Sequence, residues 1–215
     1  MPDYCEVIEH LPPDSTLILR HIDWEEYEAL LEEVGENRGL RLSYDQRTLQ
    51  ITTLSSEHEF YATLIERLVN TVSLRLRINI RSFGSMTMKT QQHQKGTEPD
   101  ACYYIQSAPL TGNRVQSDFN QDPPPDLVVE IDLHHESLSK FPIYAALGVP
   151  EIWRYDGREL AIHSLQQSAY VEVEASPALP QLTSRLLTEL MTRSREEGEF
   201  QTLLGFEEWL NSQQS

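Results

Sequence analysis

Polar and apolar residues alternate over short stretches of this chain and recur every three to four residues over longer ones, so strands and helices are mixed along it. Thr16 to Arg20 reads as a short strand. Asp23-x-x-Glu26 resembles a capping box and opens a helix to about Val34, with Gly35 as its stop. Leu40, Leu42 and Tyr44 alternate with polar residues, and Asp45-Gln46-Arg47 turns the chain into Leu49 and Ile51, which predicts a hairpin. Ser56-x-x-Glu59 is a second capping box, and the longest helix follows it to about Arg77. At about 100° per residue, Tyr61, Leu64, Ile65, Leu68 and Val72 fall on one side, with Glu57 in the same sector, Glu59 opposite and His58 at the stripe's edge.

Ile78 to Thr90 reads as one or two strands bent at Gly84, and the polar residues 91–97 as a loop. From Glu98 to Ile105 a period of two places Asp100, Cys102 and Tyr104 on one face and Ala101, Tyr103 and Ile105 on the other. Residues 107–125 form a surface excursion rich in Pro, Gly, Asn, Gln and Ser. In the strand that follows, Leu127, Val129, Ile131 and Leu133 share one face, leaving Val128, Glu130 and Asp132 on the other. Beyond His134 and His135, adjacent loop residues whose rings diverge, Ser139 caps a short helix that Gly148 ends. Glu151 to Tyr155 and Glu159 to Leu165 make a hairpin around Asp156-Gly157, and Tyr170 to Val173 adds a strand. Residues 184–192 and 199–210 read as helices, with Leu186, Leu187, Leu190, Leu203, Leu204, Phe206 and Trp209 as core or dimer contacts.

Composition narrows this picture. A chain of 215 residues fits one domain, with a core at about 40–175, an N-terminal helix and hairpin at 16–53 and a C-terminal helical extension at 183–211. No run approaches the ~18 apolar residues of a membrane span, and no signal pattern opens the chain, so the cytoplasm is the expected compartment. Cys5 and Cys102 read as ordinary thiols. The net charge of −17 argues against general coating of nucleic acid. Yet Arg67, Arg75, Arg77, Arg81, Lys89 and Lys95 follow one another with no intervening acid, either as a local cationic face or as a solvated helix face and hairpin.

The candidate chemistry lies at the end of the Leu127 to Leu133 strand. Ionised carboxylates such as Glu130 and Asp132 are seldom buried without a cation or donors, so the pair asks for a metal, a lysine or water. Lys140, in the first turn of the next helix, has a placement that the dipole disfavours, and it can reach back over the strand's end. Glu57 points inward, either serving the dipole of its own helix or reaching the site. No phosphate-binding loop, nucleophile elbow or dinucleotide fingerprint is present.

The element order is that of the α-β-β-β-α-β core of restriction-endonuclease-like nucleases: an α/β fold with a mixed central sheet flanked by helices. Glu98-Pro99-Asp100, Pro125-Asp126-Leu127-Val128-Val129-Glu130-Ile131 and Lys140-x-x-x-Tyr144-x-x-x-Gly148-Val149-Pro150-Glu151-x-Trp153 resemble the Uma-two family of the PD-(D/E)xK nuclease superfamily, abundant in cyanobacteria, over residues 20–190. The resemblance implies that Asp100 and Glu130 are catalytic and hold Mg²⁺ or Mn²⁺ with the Ile131 carbonyl. Lys140 supplies the amine, because Asp132 stands where a lysine two residues after Glu130 is expected. Glu57 and Asp132 are then accessory acids, Asp132 as a further ligand or a partner for Lys140. Arg75, Arg77, Arg81, Lys89 and Lys95 are candidate nucleic-acid contacts. The implied activity is metal-dependent cleavage of phosphodiester bonds, in DNA, by a homodimer. The alternatives are an inactive nuclease-fold module that binds nucleic acid or protein, and metal-free hydrolysis of another substrate by the two acids.

Overall fold

The computed structural model describes residues 4–35, 39–113, 122–133 and 139–213. His134 and His135 lie outside them.

The first part of the chain builds an antiparallel sheet. After helix α1 (Tyr4–Glu9), strand β1 (Thr16–Arg20), helix α2 (Trp24–Val34) and the hairpin β2 (Leu40–Asp45) and β3 (Thr48–Thr53) follow as the patterning predicts. Glu26 accepts from the Asp23 amide at 2.9 Å, as a capping box requires. Leu40, Leu42 and Tyr44 pack with Trp24, Tyr27 and Leu30 of α2 in one apolar cluster. Arg41 and Ser43 therefore point the other way, and they are buried too.

Helix α3 (Ser56–Leu76) has Ser55, not Ser56, as its cap: the Ser55 hydroxyl accepts from the His58 amide at 3.1 Å. Val69 joins the buried stripe on the side of His58, so His58 is buried and Glu57 is exposed. The next segment splits at Gly84, whose φ of 58° turns the chain out of one sheet and into the other. Strand β4 (Arg81–Gly84) stays in the second sheet, whereas β5 (Met88–Thr90) pairs in the first.

Residues 91–97 are not a plain loop. A 3₁₀ turn at Gln91–His93 leads into β6 (Lys95–Thr97), which pairs with β2 and β5. This strand lacks an apolar alternation because polar partners hold it: Thr97 bonds Ser43 at 2.8 Å and Lys95 pairs with Asp45 at 2.5 Å. Between them Gly96 lies flat on Tyr27, where a Cβ would collide with the phenol. The first sheet thus runs β1-β3-β2-β6-β5.

The second sheet holds the central acids. Strand β7 (Ala101–Tyr104) leads to a short helix, α4 (Ala108–Thr111), inside the expected excursion. Asp126 pins that segment, accepting at Oδ2 from the amides of Ile105 and Ser107 at 2.6 and 2.9 Å. Strand β8 (Leu127–Ile131) is buried throughout. Helix α5 (Phe141–Leu147) begins one residue later than the pattern suggests, so Lys140, not Ser139, takes the cap position. Strands β9 (Glu151–Tyr155), β10 (Leu160–Gln166) and β11 (Ala169–Val173) and helices α6 (Ser184–Glu196) and α7 (Glu199–Ser212) complete the chain.

The order β11-β10-β9-β8-β7-β4 is mixed: β8 and β9 are parallel, joined through the α5 crossover, and the other pairs are antiparallel. The two faces divide as the period of two predicts. Ala101, Tyr103, Leu127, Val129 and Trp153 pack under α3, α6 and α7, while Cys102, Val128 and Ile152 pack under α5. Within the apolar C-terminal helices Leu187, Leu190 and Phe206 are core, but Leu204 is exposed. The Pro-Glu-x-Trp run is structural: Glu151 accepts from Trp153 Nε1 at 2.6 Å and from the Ala178 amide at 2.8 Å, tying β9 to the approach to α6.

Candidate active site

Asp100 sits just ahead of β7, its amide bonded to the Val129 carbonyl at 3.0 Å, so its carboxylate faces the end of β8. Three donors from three elements meet on it. Arg41 Nε of β2 donates to Oδ1 at 3.1 Å, His58 Nε2 of α3 lies 3.0 Å from Oδ2, and the Ile131 amide donates to Oδ2 at 2.8 Å. Burial alone would raise the Asp100 pKa, but the His58 hydrogen bond and the charges of His58, Lys140 and Arg41 outweigh it and hold the group below the usual carboxylate range. The reciprocal effect lifts His58 above its ordinary value despite its burial. Among the described residues His58 Nδ1 has no hydrogen-bond partner, and the Glu59 carboxylate lies 3.7 Å from it.

Glu130 stands one position from Ile131 on the face that α5 covers. Lys140 Nζ donates to its Oε2 at 2.6 Å, and the Tyr144 hydroxyl donates to Oε1. Lys140 and Tyr144 are four residues apart on one side of α5, which brings both to the same carboxylate. Burial and the nearby Asp100 charge raise the Glu130 pKa against the pull of Lys140. Glu130 and Asp100 in turn hold Lys140 protonated despite its own burial. The two carboxylates are thus driven in opposite directions by their surroundings.

Arg41, His58, Asp100, Glu130, Ile131 and Lys140 line a cleft of about 440 Å³ between the two sheets. Thr16, Gln50 and Thr52 form the wall from the first sheet, and Asp132, Lys140, Phe141, Arg154 and His163 line the second. Asp100, Glu130 and Lys140 therefore converge as the sequence suggests. Ile131 joins them through its amide. Two accessory expectations need correction, Glu57 as a site acid and Asp132 as a partner for Lys140. Glu57 is exposed and does not line the cleft. Asp132 partners neither Lys140 nor the other acids but Arg154, whose Nη2 lies 2.6 Å from Oδ2.

The basic run is dispersed over several elements rather than gathered at the cleft. Arg67 and Arg75 pair with Glu199 and Glu207 of α7, and Lys89 and Lys95 pair with Glu28 and Asp45. Arg81 donates to Thr111 and Gly112, and Arg77 ends α3 in a left-handed conformation. None of Arg75, Arg77, Arg81, Lys89 and Lys95 lines the cleft.

Sequence reasoning missed Arg41, His58 and Tyr144. Arg41 occupies a polar position in an alternating strand, which ordinarily means solvent. His58 lies at the edge of the apolar stripe, and Val69, on its side of the helix, brings it into the buried face. Tyr144 carried a readable signal, its i+4 spacing from Lys140.

Among the described residues no three His, Cys, Asp or Glu side chains gather as a metal cage. A carboxylate offers about four lone-pair sites, and the hydrogen bonds above occupy three on Asp100 and two on Glu130. The hard oxygens that remain fit an ion that is content with one or two carboxylates and keeps its own water, as Mg²⁺ does.

Comparison with known proteins bears on the family and the fold. The sequence profile of Uma2, described as "Putative restriction endonuclease", matches residues 24–194. The chain belongs to the Uma2 family. Among solved structures, the crystal structure of a putative nuclease belonging to DUF820 from Anabaena variabilis matches with a TM-score of 0.50 and 16% identity, over 79% of this chain and 99% of that one. That likeness supports the restriction-endonuclease-like fold. No curated protein matches the chain.

Proposed function

We propose that this protein is a metal-dependent endonuclease that hydrolyses phosphodiester bonds in DNA, with Asp100, Glu130 and Lys140 at its centre. The observation that carries the reading is the meeting, in one cleft, of two carboxylates from neighbouring strand ends with the half-buried Lys140, which is ion-paired to Glu130. Asp100, Glu130 and the Ile131 carbonyl would hold Mg²⁺ or Mn²⁺, and such an ion polarises a phosphoryl oxygen and lowers the pKa of water. Arg41, His58 and the Ile131 amide fix the Asp100 carboxylate and keep it ionised. Tyr144 and Lys140 orient Glu130 from the other side. Lys140, already charged, is the donor available to an anionic phosphate oxygen or to the attacking water.

The test uses plasmid DNA with Mg²⁺ or Mn²⁺ and the near-isosteric variants Asp100→Asn and Glu130→Gln. Cleavage is expected to fall at least about 100-fold in each, the scale for removing a group that acts in the transition state. Cleavage that is equal in wild type and both variants would overturn the proposal. DNA binding without turnover in any divalent ion would favour the binding module.

A further inference from the structure

The pairing of Asp132 with Arg154 raises a question that the nuclease centre does not answer. In the parallel register of β8 and β9, Arg154 is the direct neighbour of Glu130. The backbones of such neighbours lie about 4.8 Å apart, and their side chains share one face of the sheet. Arg154 therefore emerges beside the reacting centre, on the wall of the same cleft.

Its contacts are one-sided. Nε and Nη2 both donate to a single oxygen, Asp132 Oδ2, at 3.1 and 2.6 Å. Among the described residues Nη1 has no partner. The Arg154 side chain is 39% exposed and that of Asp132 18%, so the pair sits at the cleft's mouth rather than in the core. An ion pair this open contributes little to stability.

The other cations of the cleft are engaged. Arg41 is buried against Asp100 and the Leu40 carbonyl, and Lys140 is half-buried on Glu130. Arg154 is the guanidinium that faces the space with donors in hand. Next to it, His163 of β10 leaves Nδ1 buried and unbonded, its ring standing edge-on to Phe141 at 4.7 Å. Burial pushes the pKa of that ring below its ordinary value.

We propose that Arg154 is a phosphate-contacting residue, gripping the backbone phosphate next to the scissile one, and that Asp132 is the positioning residue that aims it. A guanidinium fixed along one edge keeps its remaining N–H groups in a planar fork, which matches two phosphate oxygens. The aspartate in the place of the usual lysine thus serves substrate grip instead of chemistry. This inference rests on the nuclease reading.

The experiment measures steady-state cleavage of a labelled DNA duplex by the full-length protein in Mn²⁺, over a salt series. Arg154→Ala is expected to raise KM roughly tenfold, the scale of one charge-assisted hydrogen bond, with the loss carried by KM more than by kcat. It also flattens the dependence of log affinity on log salt by about one. Arg154→Lys restores part of the loss. Asp132→Asn raises KM less, and adds nothing in the Arg154→Ala background. An unchanged KM in Arg154→Ala, or Asp132 and Arg154 effects that simply add, would leave a structural ion pair only and overturn the inference while the nuclease reading stands. A wild-type protein that neither binds nor cuts DNA would remove both.

Discussion

Asp100 takes hydrogen bonds from a strand of the other sheet, a helix and a neighbouring strand, and that crowding makes its partners unequal in what their loss would do. Arg41 is buried, and removing it leaves an ionised carboxylate short of its counter-charge. Arg41→Ala is expected to cost about 3 kcal/mol in urea unfolding, as breaking a buried pair does. Glu57→Gln, on an exposed position of the same helix as His58, is expected to stay within about 0.5 kcal/mol and to leave plasmid cleavage as it was. The contrast shows what was legible at this scale. Glu130 and Lys140 could be read because an acid or an amine beside apolar strand residues is a conspicuous expense, whereas Asp100 came from the family resemblance alone. Arg41 could not, since a polar residue alternating with Leu40 and Leu42 looks the same whether it meets water or a second sheet.

At the scale of elements, the two faces of β7 and β8 were readable because each strand is buried on both sides and its alternation separates two apolar clusters. Strand β6 was not readable, since Lys95-Gly96-Thr97 is held by Asp45, Ser43 and a bare approach to Tyr27. Gly96→Ala tests that account: the Cβ has no room beside the Tyr27 ring, and thermal unfolding should show a loss of about 1 to 3 kcal/mol. The β9–β10 turn gives a pH-dependent case. Asp156 accepts from the amides of Arg158 and Glu159, both at 2.8 Å. Burial pushes its pKa up, but those amides and the charges of Arg154 and Arg158 together prevail and lower it. A depressed acid stabilises the fold above its unfolded pKa, and this contribution is lost as pH falls through the folded value. Asp156→Ala should therefore be less stable than wild type by about 1 kcal/mol at neutral pH, and the gap should close in acid below the ordinary aspartate range.

For the whole molecule, a charge of −17 surrounds a cleft whose exposed cation is Arg154. A DNA strand drawn into that cleft displaces few counterions. The salt dependence of binding should therefore be shallow, with a log–log slope nearer to one or two than to the six or more of proteins that coat the backbone. Fluorescence anisotropy at several salt concentrations measures it. Among the described residues no helix is long and apolar enough to cross a membrane. The reach of Arg41 across the cleft has a consequence at this scale. A chain cut back to begin after β3 would keep Asp100, Glu130 and Lys140, every residue by which a motif search recognises the nuclease, and would lack the guanidinium that Asp100 closes on. The first sheet thus works as an interlock: until it is docked, the centre has its letters but not its charge balance. Such a fragment should fail to cut even where its own sheet folds.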